Sequence, residues 1–234
     1  TLMKMKHTAI MVACSLVLPA WIAYGQGSLT PPGAPAATMK TLDQVEARIP
    51  ISAAGFVISE PGSYYLTTNL VASGSGNCIE VMMSGHVEID LNGFSIIGSP
   101  TGGSGVLINT AENVTVRNGT IRDCGTGGVD ASLAVGGCTF RHLCILQNGA
   151  AGAYAGLNCG PNAIVEYCRI ESNSAAGLES SSGSILTKNS IQNNMDDGLR
   201  LTGSGNYVAE NIVKGNGDNY DFADGNQLNL LLCE

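Results

Sequence analysis

The sequence predicts an all-β fold, a parallel β-solenoid of about six stacked coils with a short capping helix at its N-terminal end. Two aliphatic columns recur with gaps of 21 to 28 residues, and the segments around them are short runs of strand-forming residues bounded by Gly, Asn and Ser. The 31 glycines and the aromatic content of 5% also disfavour a helical bundle. Repeats this short cannot bury an apolar face alone, so the coils have to stack.

The two columns mark equivalent positions in successive coils. They consist of Ile96, Ile121, Ile145, Ile170, Ile191 and Ile212, and of Ile79, Val106, Val129, Leu157, Leu178 and Leu199. Equivalent positions of stacked coils lie about 4.8 Å apart, so each column predicts a ladder of side chains that face inward. Asn148, Asn173 and Asn194 each follow a column isoleucine by three residues. They predict an asparagine ladder at a turn, with a structural role.

The predicted organisation is a signal peptide at 1–25, a Pro- and Ala-rich linker at 26–37, an N-terminal cap at 38–55 and the solenoid at 56–234. Lys4 and Lys6 precede an uncharged, mostly apolar run, which is typical of a secretory signal cleaved after about Gly25. A membrane anchor is the alternative, but the run is shorter than the roughly 20 apolar residues that span a bilayer. The expected location is therefore outside the cytoplasm: secreted, periplasmic or at the cell surface.

The cap is predicted from one apolar stripe. Met39, Leu42, Val45 and Ile49 follow one another at intervals of three, three and four residues, which indicates a short helix. Such a helix would cover the first coil, whose strand edge is otherwise unpaired.

The net charge of −8 at pH 7 limits the partners. Phosphate backbones are bound by clustered Lys and Arg, so nucleic acid is not expected as a partner. No membrane contact is expected once the signal is removed, and the oligomeric state is left open.

The segments PGSYYLTTNL and VEIDLNGFSI, followed by Gly- and Asn-rich coils, carry a resemblance. From about Phe56 to Asn216 the chain resembles the right-handed parallel β-helix proteins of the pectin-lyase-like superfamily. More narrowly, it is similar to secreted, mostly uncharacterised bacterial β-helix repeat proteins. The resemblance implies a right-handed parallel β-helix but no single activity, since this superfamily includes polysaccharide lyases, glycoside hydrolases, epimerases, adhesins and inert spikes. No complete catalytic motif is present to carry over.

Outward positions beside the second column predict a polar strip along the solenoid. Its members are Glu80, Leu107, Asp130, Asn158, Glu179 and Arg200, with Asp196 and Asp197 at its edge. The candidate catalytic residues are Glu179, Asp196, Asp197, Arg200 and Asp130. Two carboxylates suit glycoside hydrolysis, whereas a lyase would use a base such as Arg200. The structural alternative is a surface pair between Glu179 and Arg200 beside a solvated turn.

Three further groups of residues are weaker candidates. Asp218, Asp221 and Asp224 place three carboxylates at intervals of three residues, which suggests a site for Ca²⁺, the one cofactor considered. The spacing matches no standard calcium loop, and an ordinary turn is the alternative. His142, beside Arg141, is a candidate general base or a plain polar strand residue. Seven cysteines follow the predicted signal peptide. Export permits disulfides, but an odd number leaves at least one thiol without a partner in the same molecule. Cysteines inside a β-helix can also be small apolar core residues, so no pairs are assigned.

The leading functional hypothesis is an exported carbohydrate-active protein whose partner is a polysaccharide, bound along the charged strip. Cleavage, by a lyase or a glycoside hydrolase mechanism, is the catalytic version of this hypothesis. The alternative is a non-catalytic structural or binding protein of the cell surface or envelope. It is favoured by the small size of the chain and by the scarcity of aromatic platforms for sugar rings.

Overall fold

The computed structural model describes residues 47–150 and 154–229, which form 22 short strands and no helix. In chain order the strands are β1 (Ile49–Ile51), β2 (Phe56–Ile58), β3 (Gly62–Leu66), β4 (Leu70–Val71), β5 (Ile79–Val81), β6 (Val87–Asp90), β7 (Ser95–Ile97), β8 (Val106–Asn109), β9 (Val114–Arg122), β10 (Val129–Leu133), β11 (Thr139–Leu146), β12 (Leu157–Asn158), β13 (Ile164–Glu166), β14 (Arg169–Glu171), β15 (Leu178–Ser180), β16 (Ile185–Thr187), β17 (Ser190–Gln192), β18 (Asp197–Leu201), β19 (Tyr207–Ala209), β20 (Ile212–Lys214), β21 (Asp218–Phe222) and β22 (Gln227–Asn229). The predicted β-solenoid is confirmed, with about seven turns rather than six.

Each coil contributes one strand to each of three parallel faces. Face 1 has the order β2-β5-β8-β10-β12-β15-β18-β21, and face 2 has the order β1-β3-β6-β9-β11-β13-β16-β19-β22. Face 3 contains β4, β7, β14, β17 and β20, together with the C-terminal parts of β9 and β11, which run through the corner from face 2. Within the described residues, no helix has the length and apolarity that crossing a bilayer requires.

Left-handed backbone conformations make the corner between faces 2 and 3. The residues there are Asn118, His142, Tyr167, Lys188 and Glu210, with φ between 53° and 61°. Only asparagine adopts this conformation readily among them, because its short side chain bonds to the local backbone. The stacking of coils therefore imposes the corner on residues that do not favour it.

The second aliphatic column is confirmed in full. Its members pair in register from Ile79 to Leu199, and their side chains are buried. The first column is confirmed as far as Ile191, but the prediction for Ile212 is wrong. Ile191 pairs with Val213, which is 3% exposed, whereas Ile212 is 42% exposed.

The shift at Ile212 has a local cause. The turn between Leu201 and Asn206 is one residue longer than the equivalent turn between Ser180 and Ser184 in the coil before it. Side chains of a strand alternate between faces, so one extra residue moves the inward position from Ile212 to its neighbour.

The predicted asparagine ladder is confirmed and extends by one more coil to Asn216. The Nδ2 of Asn148, Asn173 and Asn194 donates to the Oδ1 of the next asparagine at 3.1, 2.9 and 2.9 Å. Each of these Oδ1 atoms also accepts the backbone N–H of the preceding asparagine, at 3.0, 3.0 and 2.9 Å. Two shorter ladders, Asn189–Asn211 and Asn206–Asn226, occupy the other two corners.

Glycine is required where the asparagine ladder passes close to face 1. A Cβ added to Gly177 would lie 2.5 Å from Nδ2 of Asn194, and one added to Gly198 would lie 2.4 Å from Nδ2 of Asn216. Contacts this short are excluded between heavy atoms. The ladder therefore explains why glycine precedes the column leucine in the pairs Gly177-Leu178 and Gly198-Leu199.

The cysteines lie inside the solenoid or at its surface without pairing. Among the described residues none forms a disulfide; Cys78, Cys124, Cys138, Cys159 and Cys168 are buried, and Cys144 is half-buried. Burial raises the pKa of the Cys78 thiol to about 11 and that of the Cys124, Cys159 and Cys168 thiols to about 12. Their burial and their raised pKa values support the interpretation of these cysteines as small apolar core residues.

The N-terminal boundary of the solenoid differs from the prediction. Ile49, the last residue of the predicted capping helix, lies in β1, which pairs in parallel with β3, so the solenoid begins before Phe56. The predicted signal peptide, the linker and the cap residues up to 46 lie outside the described residues.

Removing one member of the asparagine ladder should destabilise the fold. Asn173→Ala leaves buried donors of Asn148 without an acceptor, so we expect the free energy of unfolding to fall by about 3 kcal/mol. Asn109→Ala, which makes the same change at a half-exposed strand end, should change it by less than about 0.5 kcal/mol. Urea denaturation followed by circular dichroism measures both values, and equal losses would contradict a special role for the ladder.

The buried thiols should make stability depend on alkaline pH. Their folded pKa values lie above the ordinary value of about 8.5, so their contribution is complete below that pH and is lost as the pH rises towards 12. Each such thiol should lower the free energy of unfolding by about 1.4 kcal/mol per pH unit in this range. Urea denaturation at pH 8 to 10, with a reductant present, should show a shallower slope for Cys159→Ala; an unchanged slope would contradict the assignment.

Candidate functional site

The predicted polar strip exists as one outward ladder on face 1. The strand register places in line Val57, Glu80, Leu107, Asp130, Asn158, Glu179, Arg200 and Asp221. We call this ladder the face-1 strip. The sequence-based prediction ended it at Arg200 and did not include Asp221, because β21 contains no aliphatic column residue by which to align it.

Arg200 lies at the centre of four carboxylates. Its Nε donates to Asp197 at 2.7 Å, its Nη2 donates to Asp196 at 2.5 Å and its Nη1 donates to Glu179 at 3.5 Å. An oxygen of Asp221 lies 3.8 Å from Nε. We call Glu179, Asp196, Asp197 and Asp221 the acid cage of Arg200.

The acid cage keeps Arg200 charged. Partial burial of the guanidinium works against its charge, but the hydrogen bonds to Asp196 and Asp197 outweigh burial and raise its pKa. The Asp197 side chain is only 8% exposed, so the arginine in turn compensates a carboxylate with little access to water. The predicted edge position of Asp196 and Asp197 thus corresponds to direct contact with Arg200.

A shallow depression lies beside the acid cage. It has a volume of about 210 Å³ and is lined by Asp130, Tyr154, Asn158, Glu179 and a few small neighbours. Nδ2 of Asn158 donates to Glu179 at 2.9 Å, and the N–H of Ser132 donates to Asp130 at 3.0 Å. Both carboxylates are therefore held in place by hydrogen bonds.

Tyr154 is the site residue that the sequence analysis missed. Its side chain is 48% exposed and borders the same depression as the two carboxylates. It precedes β12 and belongs to no repeating column, so periodicity gives no signal for it. An aromatic residue close before a column leucine was the only hint.

The separation of Asp130 and Glu179 follows from the solenoid geometry. Asn158 lies between them in register, so their Cα atoms are two coil steps apart, about 9.6 Å. Glycosidases use a pair of carboxyl groups, one as general acid and the other as general base or nucleophile. Asp130 and Glu179 are a candidate pair because both line the depression, one on each side of Asn158.

The predicted calcium loop is a strand. Asp218 and Asp221 lie in β21, where Asp218 pairs with Asp197 and Asp221 pairs with Arg200, and Asp224 follows the strand. Pairing with β18 extends this segment and spaces the carboxylates instead of letting them converge. Within residues 47–150 and 154–229, no group of three His, Cys, Asp or Glu residues is arranged to hold a metal ion.

His142 lies far along the coil from the face-1 strip, at the corner between faces 2 and 3. Its ring stacks on Tyr167 with centroids 5.3 Å apart, and Nζ of Lys188 donates to the Tyr167 hydroxyl at 3.1 Å. On face 3, Arg169 is ion-paired with Glu171. These contacts give His142 no carboxylate partner of the kind that orients a catalytic base.

A larger cavity of about 480 Å³ lies at the N-terminal end of the solenoid. Its walls include Ser52, Gly55, Val71 and Asn77, and none of its lining residues is charged. Acid–base chemistry needs titratable side chains, so the smaller depression on face 1 is the candidate site.

Breaking the acid cage should cost stability. Arg200→Ala leaves Asp197 as a buried carboxylate without its cation, and we expect a loss of about 2–4 kcal/mol in the free energy of unfolding. Arg169→Ala removes an exposed ion pair and should cost less than about 1 kcal/mol. Urea denaturation of both variants tests this, and losses of similar size would show that the cage is an ordinary surface network.

Comparison with known proteins identifies the family of this fold. Residues 54–217 match the family model described as a right handed beta helix region. No curated protein and no solved structure matches the chain. Because the matched region covers more than half of the sequence and coincides with the stacked coils, the chain belongs to the right-handed β-helix family.

Proposed function

We propose that this protein is an exported, carbohydrate-active β-helix that binds a polysaccharide along the face-1 strip and hydrolyses it. The observation that carries the proposal is the depression in which Asp130 and Glu179 face the same space across Asn158. Export is supported by the basic and apolar leader pattern of residues 1–25.

A polymer suits this site better than a small molecule does. The depression is open and smaller than the roughly 300–1,000 Å³ typical of small-molecule pockets. The strip continues past it in both directions, with Leu107 on one side and Arg200 on the other. A linear chain of sugars can follow such a strip and place one unit in the depression.

The roles of the lining residues follow from their chemistry. Asn158 presents an amide between the two carboxylates, and amides bond readily to sugar hydroxyls. The half-exposed ring of Tyr154 offers the aromatic surface against which a sugar ring packs. Asp130 and Glu179 then supply the acid and the base, one on each side of Asn158.

Lyase chemistry fits the site less well. A lyase needs a base that accepts a proton from the sugar ring and a cation that neutralises a uronate carboxylate. Arg200 is the one cation of the face-1 strip, and its raised pKa and its hydrogen bonds to the acid cage make it unsuited to both tasks. Hydrolysis by the carboxylates is therefore the better-supported reaction.

Binding without cleavage is the second candidate. The shallowness of the depression favours it, since hydrolases generally exclude much of the solvent from the reacting bond. In that case the same residues would hold the polymer, and the protein would act as a binding or structural component of the cell surface.

A polysaccharide screen with the whole chain tests the proposal. We expect reducing ends to form without unsaturated products, in the presence or absence of calcium. Glu179→Gln and Asp130→Asn should each lower turnover by about 100-fold or more, because each removes an acid–base group. Glu112→Gln, a carboxylate outside the face-1 strip, is the matched control and should leave turnover unchanged.

The products discriminate among the alternatives. Unsaturated products would contradict the hydrolase mechanism. Specific binding that requires Tyr154 and Asn158 but shows no turnover would favour the binding protein. Absence of binding to every polymer by the folded protein would overturn the proposal.

A further inference from the structure

We infer that the acid cage of Arg200 makes the face-1 strip select for sugar units without a carboxylate, and that it excludes uronates. This inference rests on the proposed function, because it concerns the polymer that occupies the same strip. It assigns a specificity role to Asp196 and Asp221, whose side chains do not line the depression.

The donors of Arg200 are directed at carboxylates of the protein itself. A guanidinium recognises a carboxylate by donating two parallel N–H bonds to it. In this protein the fork is directed at the chain's own carboxylates: Nε and Nη2 at Asp197, and Nη2 also at Asp196. The remaining nitrogen, Nη1, points to Glu179. A uronate would have to displace one of these partners to be bound through two parallel N–H bonds.

The charge of the face-1 strip and its edge is mainly negative. The face-1 strip and its edge carry six carboxylates against the one guanidinium: Glu80, Asp130, Glu179, Asp196, Asp197 and Asp221. A polymer with a carboxylate on every unit would run parallel to this row of like charges. Such repulsion lowers both the rate of encounter and the affinity.

The face-1 strip offers mainly hydrogen-bond acceptors to a bound sugar. Carboxylate and amide oxygens accept hydrogen bonds from sugar hydroxyls and from the ammonium of an amino sugar, and the ring of Tyr154 adds an apolar contact. Neutral or amino sugars therefore find hydrogen-bond acceptors at the polar positions of the strip, whereas a uronate finds acceptors opposite its own oxygens.

Two of the cage carboxylates can be neutralised without disturbing the buried pair. The side chains of Asp196 and Asp221 are 54% and 65% exposed, whereas Asp197 is almost fully covered. The double variant Asp196→Asn/Asp221→Asn keeps the Asp197–Arg200 contact and removes two negative charges from the cage. Glu60→Gln/Glu112→Gln removes the same number of charges elsewhere and serves as the control.

The experiment compares polymers that differ only in their carboxylates. Polygalacturonate and alginate are each paired with their fully esterified forms, and binding is measured by affinity electrophoresis with a neutral polysaccharide panel alongside. We expect the wild-type protein to bind an esterified form at least about tenfold more tightly than its acid form. The cage variant should reduce this ratio to about twofold, and the control variant should leave it unchanged.

The outcomes separate the inference from the function beneath it. Equal or tighter binding of the acid forms by the wild type, or a ratio that the cage variant does not change, overturns the inference alone. Failure of the wild type and of both variants to bind any polymer overturns the proposed function and the inference together.

Discussion

The parallel stacking of coils at constant register is the constraint on which the rest of this molecule depends. Once Ile79 is fixed above Val106, every outward neighbour is fixed as well, so Glu80 lies in line with Leu107 and with the strip that follows. The same register that fills the core therefore lays out the functional surface. A site of this kind needs no long loop to bring distant residues together, because the backbone pairing already places Asp130, Asn158 and Glu179 in one line.

Buried amides make this register unique. An aliphatic ladder tolerates sliding, since one apolar side chain packs against another at several offsets. An asparagine whose Oδ1 must accept two N–H groups, as Asn173 does from Asn148, tolerates almost none. Three such ladders, one at each corner, fix the coils against each other and hold the carboxylates of face 1 at a spacing set by the backbone. That rigidity is what catalysis by preorganised groups requires.

How much the sequence predicts depends on whether a feature repeats. The inward columns and the ladder from Asn148 to Asn194 were predictable, because a periodic residue type marks each of them. The face-1 strip was predictable because its members are the neighbours of the second column. Ile212 was assigned wrongly because its coil contains one extra turn residue, and residue spacing alone does not locate the insertion. Asp221 was not assigned to the strip because β21 has an aromatic, Tyr220, where the column has leucine. Tyr154 precedes its strand outside any repeat. The left-handed corner at Tyr167 and Lys188 has no local signal either, since the fold imposes it.

Through the single side chain of Arg200, the acid cage serves stability in the structure and specificity in the proposed function. A carboxylate as covered as Asp197 would be costly without a cation, so Arg200 has a structural reason to be present whatever the strip binds. A single arginine, however, does not need four carboxylates to compensate Asp197, and the two most exposed, Asp196 and Asp221, are screened by solvent more than Asp197 is. Their effect is directed outward: they are the most exposed members of the cage, and they extend the negative potential along the strip. Different members of the same cage thus make the contact that the structural pair requires and the contacts that would repel an acidic ligand. Substitutions can therefore separate the two effects.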